Sequence, residues 1–133
     1  MKETLTSAAR AVIALLFFCH GLQGFGFLGG VDGAGGAPEF GAWPFWYAAV
    51  LELVGSVLLF LGLFTREVAV VLSGAMAYAY FVVHQPIGLL PLQNQGEAAA
   101  LYSWIFLLIA AVGPGRYALD TFRRRAETEA VAA

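Results

Sequence analysis

Four long apolar runs organise this chain, over about 11–28, 45–63, 68–84 and 97–113. Each has the length of a membrane-spanning helix, since a hydrocarbon core of about 30 Å takes about 20 helical residues. Residues 1–9 read as a polar lead in which Thr6 or Ser7 serves as N-cap. Residues 29–44 hold six glycines and two prolines, the composition of an outer loop with little structure of its own. That loop ends in Trp43-Pro44-Phe45-Trp46-Tyr47, an interfacial aromatic belt in which Pro44 suits a first helical turn. Phe64-Thr65-Arg66-Glu67 reads as a tight inner turn, so the second and third runs form an antiparallel hairpin. Small residues at four-residue spacing in the third run, Ser73 with Ala77 and Ala75 with Ala79, allow close helix approach.

Residues 85–96 form a second outer loop, closed off from the third run by His84-Gln85-Pro86. Its apolar centre, 87–92, either dips into the membrane interface or lies over the mouth of the bundle. Gly113-Pro114-Gly115 stops the fourth run. Residues 116–125 then predict a short juxtamembrane helix with Arg116 and Asp120 paired at i,i+4, and 126–133 a frayed tail. Backbone polar groups in lipid must find internal partners. The pattern therefore predicts an all-α fold, an integral membrane four-helix bundle occupying residues 1–133 as a single domain.

Composition agrees: 60% of residues are hydrophobic and 12% charged, with a mean hydropathy of +0.77. Charge adds an orientation. Lys2, Arg10, Arg66, Arg116, Arg123, Arg124 and Arg125 all fall on one side of the four spans. The positive-inside rule then places both termini in the cytoplasm. The outer half carries Asp32, Glu39, Glu52, Glu97 and both histidines, and no base. Such a distribution argues against a nucleic-acid partner, and Arg123-Arg124-Arg125 reads as a stop-transfer signal and lipid-headgroup anchor. The single cysteine, Cys19, reads as a small buried hydrophobe, and one thiol cannot run a thiol–disulfide relay. The first run, long and carrying His20 and Gln23, reads as an uncleaved helix rather than a leader.

Ionisable groups inside a span are costly and mark partners or cavities. Counting a rise of about 1.5 Å per residue from the inner ends, His20 lies at about 15 Å, Glu52 at about 18 Å and Gln23 at about 20 Å. Tyr78, Tyr80 and Tyr102 fall between about 16 and 20 Å, and His84 and Glu97 at about 24–26 Å. The four spans can thus offer polar groups to one outward-opening cavity. Two readings of Glu52 stand side by side: a hydrogen bond to Gln23 or His20 that ties helices together, or a ligand and proton role with His20 as its partner. His84 and Glu97 equally suit loop anchoring and helix capping, and the tyrosines suit core or belt positions. No metal-ligand spacing is present. The two histidines differ in depth by about 10 Å, which disfavours a bis-histidine haem. The glycine-rich stretches lack the strand-to-helix setting of a flavin or nucleotide site.

Several segments occur in a characteristic order. Arg10 precedes Phe17-Phe18-Cys19-His20-Gly21-Leu22-Gln23. Leu51-Glu52-Leu53-Val54-Gly55 precedes Gly62-Leu63-Phe64-Thr65-Arg66. Asn94-Gln95-Gly96-Glu97-Ala98 and Gly113-Pro114-Gly115-Arg116-Tyr117-Ala118-Leu119-Asp120 follow. Over about residues 7–122 this set resembles the DoxX family of small four-helix bacterial membrane proteins. One departure is Gly24, where many relatives carry a lysine, and its absence counts against an anion site.

The resemblance implies a multi-pass protein of the bacterial cytoplasmic (inner) membrane with redox associations. Some relatives are membrane subunits of thiosulfate:quinone oxidoreductase, and others associate with sulfurtransferase and superoxide dismutase under oxidative stress. The expectation is a quinone-linked membrane subunit of an oxidoreductase. Glu52 and His20 would handle protons, with Gln23, Tyr78, Tyr102, His84 and Glu97 around a quinone or similar small apolar ligand. Electrons would come from a partner protein, since no carrier is encoded in the chain. An accessory scaffold subunit of a larger membrane complex is the alternative, and a small-solute carrier a weaker one.

Overall fold

In a computed structural model of the protein, residues 1–132 are described. They form five α-helices, one π-helical segment and two 3-10 turns, with no strand among the described residues. The helices are α1 (Lys2–Gly24), α2 (Phe45–Leu61), α3 (Thr65–Ala79), α4 (Glu97–Val112) and α5 (Leu119–Ala132). They belong to two compact units: residues 1–64 with the segment from Pro114 onward, and residues 65–113. Two stretches are long and apolar enough to cross a membrane, Lys2–Gly24 and Thr65–Ile87. The helices Phe45–Leu61 and Glu97–Val112 are apolar but shorter.

In the first unit α1 packs on α2. α1 starts at Lys2, well before the predicted boundary. Thr6 and Ser7 do not cap it; their hydroxyls donate back to the carbonyls of Lys2 and Glu3, each at 3.1 Å. Lys2, Glu3, Leu5, Ala8 and Ala9 favour helix enough to carry the polar lead into it. The helix ends at Gly24, and Gly26 turns the chain with φ 82°. α2 ends in a Schellman pattern: Gly62 (φ 69°) donates to Leu59 and Leu63 donates to Leu58. Ala14, Phe17, Ala49 and Leu59 are buried. Cys19 is exposed, contrary to the sequence expectation. A thiol is apolar enough to face lipid as readily as core.

α5 also differs from expectation. The segment read as a frayed tail is helical through Ala132. Arg116 lies before that helix, against the ring of Tyr117, and does not pair with Asp120. Asp120 accepts from the N–H of Phe64 at 2.9 Å, and an i,i+4 ion pair forms at Arg123–Glu127 instead.

In the second unit α3 packs on α4 around Ala69, Leu72, Met76, Phe106 and Ile109. Thr65, Arg66 and Glu67 are the first turn of α3 rather than a loop. Ser73 and Ser103 form a reciprocal clasp, each hydroxyl donating to the other residue's carbonyl at 2.8 and 3.1 Å. α3 widens into a π-helical segment, Tyr80–His84, and then a 3-10 turn, Gln85–Ile87, so the helical run passes the predicted stop at His84-Gln85-Pro86.

Candidate functional site

Glycines set the register of α1 against α2. A Cβ on Gly21 would lie 3.0 Å from the backbone nitrogen of Leu53, and one on Gly24 would lie 2.7 Å from Cβ of Ala49. These close approaches hold residues 20–24 level with residues 49–53. His20, Gln23 and Glu52 therefore share one layer of the first unit. Glu52 is buried, with 7% of its surface exposed, on the α2 stripe of Ala49, Ser56 and Leu59. Its main-chain carbonyl accepts from Ser56 Oγ at 2.5 Å. Its carboxyl has no hydrogen bond or ion pair among the described residues. Neither His20 nor Gln23 donates to it, so Glu52 does not tie the two helices together in the way one sequence reading held. His20 is exposed and stacks on Phe17 (centroids 5.9 Å apart, 21° between planes), and Gln23 is half-buried. A buried carboxyl without a partner costs several kcal/mol, a cost that packing alone does not explain.

In the second unit the sequence-derived residues divide. His84 is half-buried, and its Nδ1 lies 3.1 Å from the carbonyl oxygen of Asn94. A carbonyl only accepts, so Nδ1 carries a proton and donates it to this bond. His84 thus anchors the loop that follows it. Tyr80, His84 and Asn94 crowd around Gly96, where a Cβ would lie 2.7 Å from that of His84 and 2.8 Å from the Tyr80 ring. Glu97 is exposed in the first turn of α4, where its charge complements the helix dipole, and it is not hydrogen-bonded to His84. Tyr102 is half-buried and stacked on Phe106 at 5.7 Å, while Tyr78 is exposed.

The DoxX family model matches residues 5–85, more than half of the chain. This protein belongs to the DoxX family. It is a membrane protein. Among similar proteins, an uncharacterized protein of Haemophilus influenzae is 44% identical over 119 residues, covering 84% of each chain. A Bacillus subtilis protein named "Putative oxidoreductase CatD" is 32% identical over 123 residues, covering 90% of this chain and 87% of the relative. No solved structure is a significant match.

Two residues of this DoxX protein have roles that sequence reasoning missed. Arg10, counted above as an inner-side charge, is only 2% exposed. Its Nε donates to the Pro114 carbonyl at 2.9 Å, Nη1 to those of Leu59 and Phe60, and Nη2 to that of Tyr117 at 2.6 Å. Arg10 therefore satisfies the terminal carbonyls of α2 and fastens the segment after Pro114 onto α1. Gly62 is required beside it, because a Cβ there would meet Ala118 and the Arg10 guanidinium. The second unit repeats the device in the open: Arg66 Nη1 donates to Ala110 and Ala111 at the end of α4, at 2.5 and 3.1 Å. Arg10, Gly62, Pro114, Tyr117 and Asp120 all belong to the ordered segments quoted above, so those parts of the family pattern encode a structural clasp. Asn94, fully buried, is the second: Nδ2 donates to Gly88 O and Oδ1 accepts from Gly96 N, both at 2.8 Å. Asn followed two residues on by Gly was the available signal for this turn.

Proposed function

We propose that this DoxX protein is the quinone-linked membrane subunit of an oxidoreductase, with Glu52 as its proton-handling group. The observation that carries the reading is the buried Glu52 carboxyl, unpartnered among the described residues and level with His20 and Gln23. The name of the Bacillus subtilis relative supports the redox class. A quinone supplies two-electron, two-proton chemistry at a pair of carbonyl oxygens, which accept hydrogen bonds. The donor set suits such a group. Gln23 offers an amide N–H to orient a carbonyl, Glu52 holds or releases a proton at a carboxyl oxygen, and His20 relays it from a more exposed position. Ala49, Leu53 and Phe17 keep the layer apolar and exclude competing water. Electrons enter from a partner protein. The one-sided distribution of bases supports a multi-pass placement in the bacterial cytoplasmic membrane with both termini inside.

The test is purification in mild detergent followed by mass spectrometry of bound small molecules and copurifying proteins. Quinone retained by the wild-type chain and lost from Glu52→Gln, with the same partner proteins in both, supports the assignment. A wild-type chain free of quinone that turns over unchanged as Glu52→Gln within its complex leaves the accessory-subunit reading in its place.

A further inference from the structure

The loop between α3 and α4 is an apolar tip on a rigid base. Residues 85–96 contain no charged side chain. Ile87, Leu89 and Leu92 are 71%, 79% and 81% exposed, and Leu90 is also exposed. Exposed apolar clusters of this kind on a folded protein mark an interaction surface. The base is held by the buried Asn94, bonded to Gly88 O and Gly96 N, and by His84 on the Asn94 carbonyl. Part of the loop's backbone is satisfied from within. The N–H groups of Gly88, Gln93, Asn94 and Gly96 donate to Gln85, Leu90, Leu90 and Pro91, and Pro86 and Pro91 have no N–H to satisfy.

We infer that residues 87–92 are an interfacial anchor, with Ile87, Leu89 and Leu92 immersed in the acyl region of the outer leaflet. Lipid is the occupant because the tip continues a surface already in lipid. The apolar stretch Thr65–Ile87 runs directly into it, with Phe81 and Val82 exposed on the last turns. Irregular backbone cannot lie bare in hydrocarbon. The internal hydrogen bonds and the two prolines reduce that cost, so the side chains reach inward while the backbone stays at headgroup level. The glycine-rich loop at 29–44 makes no such case, since it carries Asp32 and Glu39.

Site-directed spin labelling of the full chain in phospholipid vesicles tests this. Cys19, the single cysteine, is first replaced by alanine. Labels at Ile87→Cys, Leu89→Cys and Leu92→Cys should be relaxed more by oxygen, which concentrates in acyl chains, than by a water-soluble nickel chelate. Labels at Gln93→Cys and Gln95→Cys should show the reverse. Adding Asn94→Ala to Leu89→Cys should narrow its spectrum and raise its exposure to the chelate. Chelate access at Leu89 equal to that at Gln95 overturns the proposal. Shielding of Leu89 from both reagents overturns it in favour of a protein contact.

Discussion

Replacing Arg10 by alanine should be among the most damaging single substitutions in the chain. The guanidinium serves four carbonyls, of which those of Leu59 and Pro114 are reached by fully buried bonds and those of Phe60 and Tyr117 by partly buried ones. A buried acceptor left unpaired costs about 1–3 kcal/mol, and a part-exposed one recovers much of that from water. The Pro114 carbonyl is left unpaired, the Leu59 carbonyl keeps the N–H of Gly62, and the other two losses are partial, so the sum comes to about 2–5 kcal/mol, against a total stability of about 5–15 kcal/mol for a typical domain. Lysine cannot rescue it fully, because one ammonium nitrogen cannot span carbonyls now shared among three guanidinium nitrogens. Arg10→Lys should therefore retain only part of the stability. Arg66→Ala is the internal control: its bonds are exposed, and its loss should cost about 1 kcal/mol or less. Reversible unfolding in mixed micelles, followed by far-ultraviolet circular dichroism, gives the free energies. Trypsin gives a local readout, since release of the segment after Pro114 should speed cleavage at Arg123, Arg124 and Arg125. An Arg10→Ala protein no less stable than Arg66→Ala, with unchanged cleavage, refutes the clasp.

Other outcomes follow from the same geometry. Ser73→Ala and Ser103→Ala should each cost about 0.5–1.5 kcal/mol in unfolding, because each hydroxyl serves the other residue's main-chain carbonyl; two variants as stable as wild type would contradict the reciprocal clasp. Gly21→Val should cost about 1–3 kcal/mol by forcing α2 away from its contact at Leu53, and a variant as stable as wild type would place the helix contact elsewhere. In the loop between α1 and α2, the N–H groups of Gly36 and then Ala34 hold the Asp32 carboxyl below the usual carboxylate range. A lowered folded value means that the turn is supported above the ordinary carboxylate pKa and loosens as pH falls through the folded one. Amide exchange at Ala34 and Gly36, corrected for intrinsic rates, should lose protection only in that acidic range; protection that does not change with acidification contradicts the turn.

The apolar runs were legible because hydrophobic length is a strong signal, and the ends of α2 and α4 were legible because Gly62, Gly96 and Gly113 punctuate them. The early start of α1 was hidden by its polar surface, although Leu5, Ala8 and Ala9 are helix formers. The π-helical segment at Tyr80–His84 has no residue pattern that distinguishes it from α-helix. The clasp role of Arg10 was hidden for a different reason. Its partners lie 49 to 107 residues away, and a count of charges by side cannot tell a buried clasp from an orientation signal. At the candidate site, the layer of His20, Gln23 and Glu52 could be read from helical rise. The packing of Gly21 on Leu53 could not, and neither could the lack of a hydrogen bond to the Glu52 carboxyl, since both depend on how the helices turn about their axes.

Infrared difference spectroscopy on the reconstituted protein tests the role of Glu52 most directly. Adding a soluble quinone analogue to the wild-type chain should perturb a carboxyl band, and that band should be missing from the difference spectrum of Glu52→Gln. An identical difference spectrum in the two proteins would mean that the buried carboxyl does not meet the ligand.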